Sequence, residues 1–328
     1  MQPSFGAIVR QPNKLDYPLG AFTPETFPEK YFTEINWCEV ENQRKIPACG
    51  SHSGAFLKSI QEGTQLSPSY LWKRIKQIDS WPIESGTDML SIFKTLQKRG
   101  TCSAMYLEND TTVTPEQYTD ASKLTMEMDA DAQSSKIGAY AFQWNPSVPA
   151  QHLQFFNDIK AAIYKHKVVL CLLNVGSEWW TPSWLASDIL PLRPPKSIIS
   201  GHFVVLYGFD KDFIYFRNSW SDKWGANGNG YFGLNYIPYV VEIGTAVDDT
   251  LGRFQTNLSY GSYGIDVWSL QRFLVKNGYG NFVPTGFFGF KSREAVINYQ
   301  RAKGITPAIG NFYPITRGYV NKEYAKAV

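Results

Sequence analysis

Four cysteines and four histidines are the residues best able to do chemistry in this chain of 328 residues. The cysteines do not form a Cys-x-x-Cys pair, so we expect no zinc site. Cys49 stands at the head of a helical pattern, CGSHSGAFLKSIQ, where backbone amides and the helix dipole favour a thiolate. Taken alone, this position fits either a nucleophilic thiol or an ordinary buried cysteine. Of the remaining cysteines, Cys38, Cys102 and Cys171, the last two are expected to be buried small side chains.

Segments far apart in the chain change the interpretation of Cys49. Gln43 lies six residues before it, in VENQRKIPACGSHSGAF. His202 begins the apolar run HFVVLYGF, and Asn218 opens an Asn-Ser-Trp motif that ends at Trp220. The stretch after this motif contains Trp224, Gly225, Gly228, Gly230, Tyr231 and Phe232. Together these segments resemble the papain family of cysteine peptidases over residues 36–240.

The resemblance implies a role for each residue. Cys49 would be the nucleophile, and His202 would take its proton to form an ion pair. Asn218 would orient the imidazole without adding charge, and Trp220 would shield their hydrogen bond from water. The side-chain amide of Gln43 and the backbone N–H of Cys49 would stabilise the oxyanion. The expected activity is thiol-dependent peptide-bond hydrolysis without a cofactor or a metal.

The sequence departs from the family signature Cys-Gly-Ser-Cys-Trp, in which the second cysteine is catalytic. Cys49-Gly50-Ser51 matches its first three letters, but His52 then stands at the nucleophile position. We reject that register, because it needs three extra residues after Gln43, whereas the chosen spacing needs no gap. Gly50 then replaces the family's tryptophan, which changes the cleft beside Cys49. His52 is an alternative base, although a role in helix packing or a polar network is preferred.

The order of the periodic segments predicts an α+β fold with two lobes. Apolar residues recur at three- and four-residue steps over 49–61, 67–78, 87–99 and 151–165, which predicts helices. The runs 168–175, 202–209, 213–219 and 229–237 read as strands, whereas 107–150 is polar and turn-rich. We therefore expect a helical half followed by an antiparallel β half. Residues 1–35 are interpreted as an extended arm on a peptidase domain spanning 36–245.

The end of the chain differs from the rest in charge and pattern. Residues 251–328 hold ten Lys or Arg against three Asp or Glu, a net charge of +7. Because the whole chain carries +3, residues 1–250 carry −4. Two short amphipathic helices, VWSLQRFLVKNG and SREAVINYQRAKG, each close on a glycine, and a third helix is expected at 315–325. The asymmetry indicates a linker, 246–256, and a second domain, 257–325, that meets an anionic partner.

This second domain resembles the common three-helix peptidoglycan-binding domain. The motif residues singled out for wall binding are Asp266, Gln271, Gly286, Phe288, Gly289, Gln300, Thr316 and Arg317. Other letters of the resemblance include Gly264, Leu270, Tyr279 and Gly310. The alternative is a packing module whose ligand is unknown.

The two resemblances together predict a peptidase directed to the cell wall or to wall-attached protein. Its partners would be a peptide or protein substrate and peptidoglycan or another anionic wall polymer, with no nucleic acid and no membrane span. Its location would be extracellular, wall-associated or virion-associated, although no signal peptide is visible. Two alternatives stay open: a hydrolase of peptidoglycan stem peptides, and a catalytically silent wall-binding or virion protein.

Overall fold

The computed structural model describes residues 5–11, 26–180, 191–247, 254, 257–263 and 265–326. The chain forms two compact units, Met1–Asp249 and Thr250–Val328. Gly264 and most of the predicted linker lie outside the described residues, as do parts of the predicted arm. No helix in the described part of the chain combines the length and apolar character needed to cross a membrane.

The helical half of the first unit is built around one buried helix. This helix, α1 (Cys49–Glu62), has nearly every residue buried, including Lys58, whose ammonium donates to Glu62 at 2.9 Å. Gly50 and Gly54 lie on one face, and a Cβ at either would approach Ile92 to within 3 Å. The missing side chains therefore let the neighbouring helix pack closely against α1. The other helices of this half are α2 (Pro68–Ile75), α3 (Met89–Lys98), α4 (Pro115–Thr119) and α5 (Met126–Ala132).

The second half of this unit is an antiparallel sheet backed by α6 (His152–His166). Its central strand order is β2-β7-β3-β4-β5-β6, and β1 pairs with the far end of β4. The strands are β1 (Tyr31–Phe32), β2 (Ala139–Trp144), β3 (Val169–Val175), β4 (Ser200–Phe209), β5 (Phe213–Arg217), β6 (Asn229–Gly233) and β7 (Val240–Val247). The predicted α+β architecture with a helical half and an antiparallel β half is confirmed.

The structure differs from the sequence-based prediction in several strands. Strand β2 lies in the stretch expected to be only polar and turn-rich, and β7 was not predicted. β7 also runs to Val247, beyond the expected end of the peptidase domain at residue 245, because Val247 pairs with Ala139. The strand expected over 229–237 ends at Gly233, and a 3₁₀ helix with Pro238 inside it follows. Proline lacks the N–H that a continuing strand would donate.

The described residues of the second unit form the three predicted helices, α7 (Ile265–Lys276), α8 (Phe290–Ala302) and α9 (Pro314–Lys326). Two buried glutamines fasten the turns between them. Gln271 accepts hydrogen bonds from the backbone amides of Thr285 and Gly286, at 2.8 and 2.9 Å, and donates to Ser292 at 2.7 Å. Gln300 accepts from the amide of Gly310 at 2.9 Å. The turns before α8 and α9 are therefore held by the same device.

Replacing Gln271 with leucine should destabilise the second unit, because two backbone amides lose their acceptor. Each buried orphan donor costs about 1–3 kcal/mol, so we expect a loss of about 2–4 kcal/mol. Hydrogen exchange of peptides from α7 and α8 in the full chain measures this loss. Asn298→Ala, which removes one exposed hydrogen bond to Tyr279, is the matched control. Equal exchange in both variants would contradict the assigned role of Gln271.

Candidate active site

Cys49 is the first residue of α1 and is fully buried. The preceding residue, Ala48, makes no side-chain capping hydrogen bond, and the first turn holds no acidic residue. An alanine cap costs about 1 kcal/mol relative to Ser or Asp. The cap position thus offers no side-chain acceptor for the first-turn amides, and no carboxylate opposes a thiolate. The sequence therefore places a thiol at the positive end of a helix dipole.

His202 is positioned by β4, where it pairs with Leu173 of β3. Its Nε2 lies 2.8 Å from Oδ1 of Asn218, which follows directly after β5. The same oxygen accepts the backbone N–H of Ser219 at 2.8 Å. Since an amide oxygen only accepts, His202 carries its proton on Nε2 and presents the lone pair of Nδ1. The predicted pairing of His202 and Asn218 is present in the structure.

Aromatic rings enclose the His202–Asn218 hydrogen bond. The ring of Trp220 lies 4.6 Å from the imidazole, between centroids, in the position predicted for a shield. Trp179 approaches edge-on at 5.9 Å and Phe5 at 6.1 Å. Trp179 belongs to a tryptophan-containing segment before β4 that also includes Trp184, and Trp184 lies outside the described residues. Water is thereby excluded from both partners, which are almost completely buried.

Gln43 connects the two halves of the unit beside this site. Its Oε1 accepts the hydroxyl of Ser219 at 2.6 Å, and its Nε2 donates to the carbonyl of Ile46 at 3.1 Å. Its backbone N–H donates to the carbonyl of Ser219 at 2.9 Å. Gln43 is therefore held by hydrogen bonds to Ser219, the residue that follows Asn218. The structural role of Ser219 was not predicted, although the Asn-Ser-Trp motif contains it.

Burial holds both reactive groups neutral in this state. It raises the pKa of the Cys49 thiol to about 11, although nearby backbone groups of Phe203, Gly6 and Gly50 oppose the rise. It lowers the pKa of His202 to about 4, against the hydrogen bond to Asn218 that favours the protonated form. Nδ1 of His202 has no hydrogen-bond partner in the described part of the chain. Burial therefore opposes the thiolate–imidazolium pair expected from the sequence.

A segment of the predicted arm fills the space over Cys49. The carbonyl of Gly6 accepts the N–H of Thr87, and the N–H of Ile8 donates to the carbonyl of Thr87, both at 2.8 Å. Ala7 lies between Thr87 of the helical half and Gly201 of the sheet half, and bridges to both. The arm thus runs in an extended conformation between the halves, next to Cys49 and His202. Cys49 is fully buried while this segment is in place.

The arm fits tightly at Gly6 and is anchored at Arg10. A Cβ on Gly6 would lie 1.8 Å from the backbone oxygen of Pro47, so no larger residue fits. The guanidinium of Arg10 lies over the rings of Phe142 and Trp144, at 4.8 and 5.2 Å. Together these contacts explain how seven residues hold their place without regular secondary structure.

His52, the alternative base, belongs to a separate polar network. Its Nδ1 donates to the carbonyl of Ala48 at 2.8 Å, and its Nε2 accepts from Nδ2 of Asn109 at 3.0 Å. Asn109 also donates to Glu41 at 2.6 Å and accepts from Tyr118 at 2.7 Å. Both ring nitrogens of His52 are therefore engaged away from the thiol. This network secures α1 to the loop that carries Asn109.

The remaining cysteines are buried and form no disulfide. Cys38 lies 2.9 Å from Oε1 of Gln65, and burial raises the pKa of its thiol to about 12. Burial also raises the pKa values of Cys102 and Cys171. Within the described part of the chain, none of these three thiols hydrogen-bonds to a histidine.

The predicted wall-binding motif forms mostly the interior of the second unit. Phe288 is completely buried, Gly289 is the N-cap of α8, and Gln271 and Gln300 hold the turns described above. Thr316 accepts from Gln300 at 2.8 Å, whereas half-buried Arg317 donates to Asn257 at 2.6 Å. The side chain of Asp266 lies outside the described residues. Most of these residues therefore build the scaffold of the second unit.

Comparison with known proteins identifies both folds. The structure resembles Xylellain, a cysteine protease from Xylella fastidiosa, with a TM-score of 0.60, 19% identity and coverage of 75% of this chain and 96% of that chain. It also resembles proCathepsin B S9 from Trypanosoma congolense (TM-score 0.54, 17% identity, coverage 75% and 86%). A third likeness is digestive procathepsin L 3 of Tenebrio molitor (TM-score 0.54, 14% identity, coverage 71% and 74%).

The second unit matches a family model by sequence. Residues 264–307 match the family described as "Putative peptidoglycan binding domain". No curated protein matches the chain in sequence. The chain therefore combines a papain-like cysteine protease fold with a C-terminal domain of the peptidoglycan-binding type.

Gly6→Ala should expose Cys49, because the added methyl group cannot fit against the backbone of Pro47. We expect iodoacetamide to alkylate Cys49 about tenfold faster or more, equivalent to about 1.4 kcal/mol in the opening equilibrium. Peptide mapping by mass spectrometry at pH 7.5 measures the rate. Val9→Ala, at a side chain that is 47% exposed, is the control in the same arm. Identical rates for the two variants would show that the arm does not protect the thiol.

The first unit should lose stability as the pH falls from about 6.5 to about 4. Burial lowers the pKa of His52 and of His202 to about 4, so the unfolded chain binds these protons first. His52→Gln should flatten the pH dependence of the free energy of unfolding in this window, measured by urea denaturation. His152→Gln, at a half-buried position, is the control. A pH dependence unchanged by His52→Gln would contradict the buried neutral state.

Proposed function

We propose that this protein is a cysteine peptidase that its second unit directs to the cell wall or to wall-attached substrates. The carrying observation is the shielded hydrogen bond between His202 and Asn218, adjacent to a cysteine at the head of a buried helix. Phe203, the residue after His202, lies near enough to Cys49 for its backbone to lower the pKa of the thiol. Gln43, which lies in the loop before the helix of Cys49, completes the proposed catalytic set and hydrogen-bonds to Ser219.

In the acylation step, Nδ1 of His202 takes the proton of the Cys49 thiol. The thiolate then attacks the carbonyl carbon of the scissile peptide, and the carbonyl oxygen becomes an oxyanion. The backbone N–H of Cys49 and the side-chain amide of Gln43 donate to this oxygen. His202 returns the proton to the leaving amine, and a thioester on Cys49 remains. Water hydrolyses the thioester in the second step, with His202 as the base.

Asn218 supports both steps without titrating. Its oxygen is directed at Nε2 of His202 because the same oxygen accepts the N–H of Ser219. The imidazole therefore keeps its Nε2 on Asn218, which leaves Nδ1 available to accept the proton of the thiol. Trp220 keeps water from competing for this bond. Because Asn218 is an amide and not a carboxylate, it adds no charge to the pair formed by the Cys49 thiolate and the His202 imidazolium.

Targeting is assigned to the second unit on the family match and on charge. Residues 264–307 match a peptidoglycan-binding model, and residues 251–328 carry a net charge of +7. The substrates proposed are wall-attached proteins, with peptidoglycan stem peptides as the second substrate class, because the same module would present both. The location that follows is extracellular, at a cell wall, or in a virion that meets one. The proposed divisions are the arm 1–35, the peptidase domain 36–245, the linker 246–256 and the wall module 257–325, although β7 carries the sheet of the peptidase domain on to Val247.

Activity should depend on Cys49 and His202 but not on His52. In a Gly6→Ala background, Cys49→Ser or His202→Ala should lower kcat/KM by about 10³-fold or more, since either change removes the nucleophile–base unit. His52→Gln should keep most of the activity, because both nitrogens of His52 engage a network away from the thiol. Casein and purified sacculi, tested side by side under reducing conditions, distinguish the two substrate classes. Full activity in Cys49→Ser, or loss only in His52→Gln, would refute the assignment.

A further inference from the structure

Four aromatic side chains form an exposed cluster on the second unit. Tyr263 is 82% exposed and Phe290 is 74% exposed, and about half of the surface of Tyr260 and Phe287 is accessible. The ring of Tyr260 lies 4.9 Å from that of Phe290 and 6.3 Å from that of Phe287. Exposed contiguous aromatic surface of this kind marks an interaction site more often than an accident of packing. We call these four residues the aromatic platform.

The platform rests on rigid backbone. Tyr263 pairs with Phe287 across a short antiparallel bridge. The N–H of Gly261 donates to the carbonyl of Phe288 at 3.0 Å, and the N–H of Phe288 donates to the carbonyl of Ser262 at 2.9 Å. Gln271 fastens the same turn from below by donating to the carbonyl of Phe287 at 2.9 Å. The rings therefore project from two joined segments whose positions do not depend on a ligand.

The two halves of this unit provide an internal comparison. The turn before α9 repeats the turn before α8: Gly310 corresponds to Gly286, and each glycine N–H donates to a buried glutamine. Six residues after each glycine, a hydroxyl accepts from the glutamine of that turn: Ser292 from Gln271, and Thr316 from Gln300. Phe288 and Phe312, each two residues after the glycine of its turn, also correspond, and both are fully buried.

The platform residues fall where the two halves differ. At the position of Phe287 the second turn has Asn311, and at that of Phe290 it has Pro314. Asn311 accepts from Gln300 through its backbone carbonyl at 2.9 Å, as Phe287 does from Gln271. The hydrogen-bonded turn therefore forms without an aromatic side chain at either position. Phe287 and Phe290 are not required by the scaffold, which leaves ligand contact as their role.

We propose that the aromatic platform binds the glycan strand of the wall polymer, a chain of N-acetylated amino sugars. This inference rests on the wall targeting proposed above and assigns it a surface. The C–H faces of pyranose rings stack on aromatic faces, and the hydroxyls of Tyr260 and Tyr263 add hydrogen-bonding groups at the rim. The family match includes both Phe287 and Phe290. The net charge of +7 complements the carboxylates carried by such a polymer.

The test uses the full chain with Cys49→Ser, so that bound material is not cleaved. Purified sacculi are pelleted with the protein at 0.15 M salt, and chitin, heparin-agarose and vesicles of phosphatidylglycerol serve as comparison surfaces. Phe287→Asn combined with Phe290→Ala introduces at 287 the residue that the second half already has. We expect this double variant to bind sacculi and chitin at least about tenfold more weakly, a loss of about 1.4 kcal/mol. Tyr319→Ala, an exposed aromatic on α9, is the matched control and should bind normally.

The outcomes separate the platform from the targeting on which it rests. If the parent protein does not pellet with sacculi, the proposed targeting fails and the platform fails with it. If the parent protein pellets and the double variant pellets equally well, targeting stands and the platform is refuted. Binding to vesicles or heparin that the double variant loses, without loss on sacculi or chitin, would also overturn a glycan ligand. Unchanged hydrogen exchange of α7 and α8 in the double variant confirms that its fold is intact.

Discussion

The hydrogen bond between Nε2 of His202 and Oδ1 of Asn218 is the constraint on which the rest of the site depends. It requires the start of β4 and the end of β5 to meet, and the antiparallel pairing of these strands provides that. It also requires that the amide oxygen, not the nitrogen, faces the imidazole, and the N–H of Ser219 selects that orientation. Through the hydroxyl of Ser219, the same corner reaches Gln43 in the helical half. One buried bond thus couples strand pairing, ring tautomer and the junction between the two halves.

Burial has two opposite effects at this site: it strengthens hydrogen bonds, and it disfavours the charged forms of Cys49 and His202. In a dry site, the hydrogen bonds offered to an oxyanion are stronger than in water. The same dryness penalises a separated thiolate and imidazolium, so the covered site holds both groups neutral. The arm deepens this effect, since Phe5 packs edge-on against His202 and Gly6 lies against the nucleophile's loop at Pro47. Moving the arm would therefore open the path for substrate and also relieve the desolvation that opposes the ion pair.

The sequence predicts the parts of this structure that depend on local pattern. The helix headed by Cys49, the strand headed by His202 and the Asn-Ser-Trp turn are each contained in a short segment, so residue type and spacing suffice. Strand β2 was missed because AYAFQW sits at the end of a polar stretch, and it is stabilised by β7, about a hundred residues later. The position of residues 5–11 between the two halves could not be predicted from the sequence. It depends on Gly6 facing Gly86, where a Cβ on Gly86 would lie 1.8 Å from the carbonyl oxygen of Gly6. Such a fit between distant backbones leaves no periodicity in the sequence.

The second unit shows why a motif and a binding surface need not coincide. The letters that make its sequence recognisable, such as Gln271, Phe288 and Gln300, are buried and serve the turns. A motif that builds a scaffold recurs wherever the scaffold recurs, and here it recurs twice within one unit. Ligand contact needs surface residues, which the scaffold leaves free to vary. The difference between Phe287 in one turn and Asn311 in the other is therefore more informative about binding than the glutamines they share.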